Sequence, residues 1–164
     1  MEIKRNHYLQ QFIDRQWNGM VKVITGIRRC GKSYLLRTLF RNYLLQQGIT
    51  EEQIIHIELD LTKNIRYRNP LELANYVHSL IDGKVTQFYL FIDEIQMCES
   101  IKNPYLPDGK KITFYDTLNE FKEIPNLDVY VTGSNSKMLS TDILTEFRGR
   151  GDEIRIHPVS FAEF

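Results

Sequence analysis

The chain of 164 residues is 42% hydrophobic and 26% charged, an ordinary composition for one domain with a core of its own. Lys+Arg and Asp+Glu each total 21, so the formal net charge is zero, which argues against a nucleic-acid binder with a basic face across the whole domain but leaves room for a local patch. No apolar run approaches the roughly 18 residues of a membrane span, residues 1–18 lack the apolar stretch of a signal peptide, and Cys30 and Cys98 form no disulfide framework or metal-ligand spacing, so a cytoplasmic protein with free thiols and no membrane partner is expected.

Residues 1–20 read as a short helix packed on the core, with Tyr8, Leu9, Phe12, Ile13 and Trp17 on one face and Asn18-Gly19 ending it. The β-branched run Val21–Thr25 predicts a strand, Gly26–Ser33 a loop, and Ser33–Gln47 a helix with Leu35, Leu36, Leu39, Phe40, Tyr43 and Leu44 inward and Gly48 as its stop. A second strand is expected near Gln53–Leu59. Asn69-Pro70-Leu71-Glu72 then has the cap, proline and acid of a helix start, and that helix buries Leu73, Ala74, Val77, Leu80 and Ile81. Phe88–Ile92 is apolar throughout, as in a strand covered on both faces. Gln96–Lys111 reads as irregular, followed by a helix at Phe114–Lys122, a fourth strand at Leu127–Thr132, a short helix near Lys137–Leu144 and a last strand near Glu153–His157. Strands alternating with helices predict a three-layer α/β fold with a parallel sheet.

Gly26-Ile27-Arg28-Arg29-Cys30-Gly31-Lys32-Ser33 fits G-x-x-x-x-G-K-[ST] at every fixed position and lies between a predicted strand and a predicted helix. Glycines at 26 and 31 permit backbone angles and close approach that side chains would block, so N–H groups can converge on phosphate oxygens. Lys32 is expected to reach the β and γ phosphates, and the Ser33 hydroxyl to hold Mg²⁺. The residues expected around the nucleotide are Gly26, Ile27, Arg28, Arg29, Cys30, Gly31, Lys32, Ser33 and Tyr34. Arg28 and Arg29 also fit a solvated pair on the loop's outer side, and Cys30 a small filler.

Asp93-Glu94 ends the apolar third strand, where ligands of parallel sheets bind. Asp93 is expected to hold Mg²⁺ directly or through water, and Glu94 to polarise a water for in-line attack on the γ-phosphate. No Asn-Lys-x-Asp element that would read guanine is present, so ATP is expected rather than GTP. After the fourth strand, Ser134 or Asn135 could meet the γ-phosphate or the attacking water; alternatively, Asn135 or Ser136 caps the next helix. Arg148 and Arg150 could reach the nucleotide of a neighbouring copy, making a homo-oligomer, or anchor Glu146, Asp152 or Glu153 locally; the local role is preferred. Arg66 and Arg68 read as a solvated loop, with a kinase lid or a nucleic-acid contact beside Tyr67 as alternatives. His7, His56, His78 and His157 are scattered, and packing or surface roles are expected for them.

The runs Ile24–Ser33, Phe91–Gln96, Thr132–Ser136 and Phe147–Arg150, with the closing Pro158–Phe164, resemble the prokaryotic AAA+-like ATP-binding family that has a Gly-Ile-Arg-Arg phosphate loop. The resemblance covers nearly the whole chain. It implies a P-loop NTPase core over residues 21–164 with five parallel strands in the order 5-1-4-3-2. Lys32 and Ser33 then match the phosphate and magnesium positions, Asp93 and Glu94 the magnesium and base positions, and Asn135 the sensor position, giving Glu94, Lys32 and Asn135 as the catalytic set. Family members usually continue past this point into a lid and a further domain, so lid contacts to adenine are expected to be absent from this chain. The function expected is Mg-ATP binding with hydrolysis that drives or switches a protein or nucleic-acid partner. A nucleotide switch with negligible turnover is the alternative, and a small-molecule kinase a lesser one.

Overall fold

The computed structural model describes residues 2–26, 31–134 and 151–156. Five strands form one sheet: β1 (Val21–Gly26), β2 (Ile54–Glu58), β3 (Phe88–Asp93), β4 (Leu127–Ser134) and β5 (Gly151–Arg155). Their order is β2-β3-β4-β1-β5 with every pairing parallel, which is the expected 5-1-4-3-2 order read from the other edge.

Alternation along the strands divides the core into two layers. Val21, Val23, Phe88, Leu90, Ile92, Leu127, Val129 and Val131 face α4 (Pro70–Ile81) and α5 (Phe114–Lys122). Ile24, Ile54, Tyr89, Phe91, Tyr130 and Ile154 face the other way, toward α1 (Glu2–Asp14) and the helix that follows the phosphate loop. That helix runs as α2 (Lys32–Tyr34), a π-helical stretch (Leu35–Phe40) and α3 (Arg41–Gln46). Leu35, Leu36, Phe40 and Leu44 are buried as expected, while Leu39 and Tyr43 are half-buried at the margin.

The first helix is shorter than its apolar pattern suggests. It ends at Asp14 because Arg15 N–H bonds back to both Gln11 and Phe12 carbonyls and Gln16 N–H to Ile13, tightening the chain into a turn. Trp17 then takes a positive φ of 57°. Its amide donates to Asp128 Oδ2 at 3.1 Å, and its indole N–H to the Tyr89 hydroxyl at 3.1 Å. Tyr8 and Phe12 are buried beside Phe40, which holds this segment on the core.

Asn69 caps α4 by accepting the amides of Leu71 and Glu72, and Thr113 and Asp116 form a capping box on α5. The 3₁₀ turns over Thr62–Arg68 carry no periodic apolar pattern and were not predicted; they place Arg66 against Glu72 at 2.7 Å and Arg68 Nε on the Leu59 carbonyl at 2.8 Å. In the irregular segment Ile101 and Ile112 form an isolated antiparallel bridge. The last strand begins two residues earlier than expected, with Gly151 opposite Val21. The segment expected to form a short helix near 137–144, His157 and residues 158–164 lie outside the described residues. No helix among the described residues is long and apolar enough to cross a membrane.

Candidate functional site

In a parallel sheet all carboxyl ends lie on one edge. Here β1 ends at Gly26, β3 at Asp93 and β4 at Ser134, with Gly26 opposite Ser134 and Ile92 opposite Val131. The phosphate-loop sequence and the acidic pair therefore leave the sheet on the same side, separated by one strand. An open cleft of ≈ 230 Å³ is lined by Gly31, Lys32, Ser33, Tyr34 and Glu94. Residues sixty or more positions apart in sequence share its wall.

Gly31 has φ 100°, a left-handed value that a β-carbon would oppose, and it turns the chain directly into α2. Lys32 is 4% exposed, and its ammonium donates to the Gly26 carbonyl at 3.1 Å, across the mouth of the loop. Tyr34 is 48% exposed at the cleft's edge. Of the remaining residues expected around the nucleotide, Ile27, Arg28, Arg29 and Cys30 lie outside the described residues, as do Asn135, Arg148 and Arg150.

The acidic pair is asymmetric. Asp93 is 2% exposed and is not part of the cleft wall. Its Oδ1 accepts the Thr132 hydroxyl at 3.0 Å, and its Oδ2 lies 2.7 Å from His56 Nε2. Glu94, by contrast, reaches the cleft from a left-handed backbone (φ 58°, ψ 54°) that reverses the chain after the strand. The same Thr132 oxygen accepts the Glu94 N–H at 3.1 Å, so one hydroxyl on β4 holds both acidic residues. Gln96 Nε2 donates to Glu94 Oε2.

The donor set fits nucleotide phosphates and magnesium. A buried ammonium beside a glycine turn suits anionic oxygens, while a hydroxyl and carboxylates suit a hard dication. Among the described residues no group of three or more His, Cys, Asp or Glu forms a metal cage. Mg²⁺ needs none, because it commonly takes one or two protein oxygens together with substrate phosphates and water.

Sequence leads to a packing or surface role for His56 and to no individual role for Thr132 or Gln96, yet all three touch the acidic pair. Thr132 and His56 lie on the same sheet face as Asp93, which alternation could have told, but which strand neighbours which depends on the assembled order. Arg66, Arg68 and Tyr67 are elsewhere: Arg66, Tyr67, Glu72, Asn75 and Tyr76 line a separate surface hollow. Burial in the apolar core, helped by the nearby Glu99 charge, pushes the Cys98 thiol up to about 12, which favours the packed, protonated form.

The sheet and its helices resemble known proteins over most of their extent. A Drosophila ORC chain bound to DNA matches with a TM-score of 0.57 and 12% identity, covering 98% of this chain and 94% of that one. A DNA polymerase III gamma subunit-related protein of Thermotoga maritima matches with a TM-score of 0.57 and 7% identity, over 95% and 46%. These likenesses establish the fold. In sequence, an uncharacterized protein of Haemophilus influenzae is 33% identical over 162 residues, 99% of this chain and 37% of the relative. An uncharacterized protein of Methanocaldococcus jannaschii is 31% identical over 148 residues, 88% of this chain and 28% of the relative. The chain thus spans about a third of the length of the relatives it matches. The profile described as AAA domain matches residues 18–164, from the last turn before β1 through the phosphate loop and acidic pair to the final residue, and by that match the chain belongs to the AAA domain family of nucleotide-binding P-loop proteins.

Proposed function

We propose that this domain binds Mg-ATP in the Lys32–Glu94 cleft and hydrolyses it to ADP and phosphate. The observation that carries this reading is the shared wall: Lys32, at the start of a helix, and Glu94, directly after β3, line one opening. Gly26, Gly31 and the intervening backbone would cradle the phosphates, and Lys32 would exchange its Gly26 carbonyl contact for phosphate oxygen. Ser33 and Asp93 would hold the metal, Asp93 through water because it is buried behind the cleft wall. The chemistry a bound Mg²⁺ supplies is neutralisation of charge on the β- and γ-phosphate oxygens.

Glu94 is the base in this reading. Its carboxylate takes a proton from a water aligned with the γ-phosphate, and the P–O bond to the leaving ADP breaks opposite the attacking oxygen. Asn135, at the end of β4, would orient that water or the γ-phosphate. The nucleotide cycle would act on a protein or nucleic-acid partner, and Arg148 or Arg150 would complete the site if copies of the chain associate.

A second reading, a nucleotide switch with negligible turnover, draws on the Gln96 amide, which occupies one oxygen of Glu94. Phosphate release from ATP by the wild type and Glu94→Gln separates the two. The hydrolase reading expects a fall of about 10²–10⁴ in turnover, the contribution of a positioned base, with ATP affinity retained. Equal, near-zero release from both proteins while ATP still binds would favour the switch.

A further inference from the structure

His56 stands out as a half-buried titratable side chain with no part in the reaction as written. It lies on β2 with its ring edge-on to Phe91 at 6.0 Å and 74°, and its side chain is only 13% exposed. In the β2–β3 register Glu58 is opposite Asp93 and His56 opposite Phe91. His56 therefore reaches Asp93 along the diagonal between neighbouring strands, on one face of the sheet. An ionised carboxylate only accepts hydrogen bonds, so the His56 Nε2 at 2.7 Å carries the proton between them.

Asp93 is thereby held from both ends. Thr132 donates to Oδ1 and His56 to Oδ2, which fixes the carboxylate plane inside a 2% exposed position. Each oxygen keeps a further lone pair. We propose that His56 is a positioning residue for the magnesium site: together with Thr132 it sets the orientation in which Asp93 offers its remaining lone pairs to the water shell of the cation. The proposal rests on the Mg-ATP reading of the cleft. Hydrogen-bond partners of metal-holding carboxylates tune metal affinity by 10–100-fold in proteins generally, and His56 has the geometry of such a partner.

The test reads binding, not turnover. Mg²⁺ is titrated into the full chain in the presence of a fluorescent, non-hydrolysable ATP analogue, for wild type, His56→Phe, His56→Gln and Asp93→Asn. His56→Phe keeps a ring beside Phe91 but removes the donor, and it is expected to raise the Mg²⁺ concentration at half-saturation by about 10-fold or more. Its affinity for the analogue in EDTA is expected to stay within about twofold of wild type. His56→Gln restores a donor and is expected to recover most of the shift. Thermal unfolding of each variant is measured alongside: a lower Tm with an unmoved Mg²⁺ midpoint means packing alone and overturns the proposal. If His56→Phe does not fold, His56→Ala carries the same expectation. Asp93→Asn separates the failures, because an unmoved midpoint there defeats the assignment of Asp93 itself, whereas a shift in Asp93→Asn with none in the His56 variants defeats only the role of His56.

Discussion

Glu94 occupies a left-handed backbone position between a buried strand and a 3₁₀ turn over Ile95–Met97. Non-glycine residues adopt that region sparingly, at a cost of order 1–3 kcal/mol in strained cases. The Thr132 hydroxyl and the Gln96 amide hold it there, and Glu94 lines the cleft together with Gly31, Lys32, Ser33 and Tyr34. Elsewhere single residues act only on stability. His78 has both ring nitrogens on carboxylates, Glu120 at 2.5 Å and Asp82 at 3.1 Å, and the Glu120 hydrogen bond is the main cause of its raised pKa. A raised folded-state value means the protonated ring stabilises the fold. That contribution is fully present below the unfolded value near 6.5 and fades as pH rises through the higher folded value. With a third of the side chain in solvent, it amounts to about 1 kcal/mol at most. Urea unfolding of wild type and His78→Gln is expected to show a stability difference that shrinks as pH is raised from about 6 to above the folded pKa; a difference independent of pH contradicts this assignment.

At the scale of elements, β1 and β4 are tied together by a buried ion pair as well as by their ladder. Lys22 Nζ lies 2.5 Å from Asp128 Oδ1 with both side chains essentially out of solvent. Asp128 Oδ2 also accepts the Tyr130 hydroxyl at 2.8 Å and the Trp17 amide, so the turn after α1 is tied to the same pair. Burial lowers the Lys22 pKa against the pull of Asp128, and burial likewise raises that of Tyr130. Lys22→Met should destabilise the protein by about 3–5 kcal/mol, because Asp128 is left as a buried unpaired charge. Adding Asp128→Asn, which keeps an acceptor for Tyr130 and Trp17 but no charge, should recover part of that loss. A Lys22→Met change within about 1 kcal/mol of wild type in urea would show the pair to be energetically idle. The elements themselves were legible where local chemistry marks them. Asn69-Pro70-Leu71-Glu72 announces α4, the β-branched run at Val21–Thr25 announces β1, and the unbroken apolar run at Phe88–Ile92 announces β3. The π-helical stretch at Leu35–Phe40 was not, since a few residues of altered winding leave the apolar pattern almost unchanged, nor were the 3₁₀ turns at Thr62–Arg68, which have no apolar period to read. The end of α1 was misplaced by the pull of Trp17 toward Tyr89 and Asp128, partners 72 and 111 residues away.

Across the whole molecule, the sheet order brings the ends of β1, β4 and β3 side by side, and this adjacency makes a site from separate sequence runs. The phosphate loop and the acidic pair were legible because each is a compact run of residue types with a chemical reason for its spacing. The residues that hold the pair in place were not, because His56, Asp93 and Thr132 meet only through the neighbouring of β2, β3 and β4. A histidine in an apolar strand reads as packing until its neighbour is known to be a carboxylate. Lys32, buried and lining the opening shared with Glu94, is the central residue of the proposed nucleotide site. Calorimetric titration of Mg-ATP into wild type and Lys32→Ala tests it directly. One charged hydrogen-bonding group is worth about 1.5–3 kcal/mol, so affinity is expected to fall about 10–100-fold with the fold intact; equal affinities in the two proteins would contradict the placement of the triphosphate in this cleft.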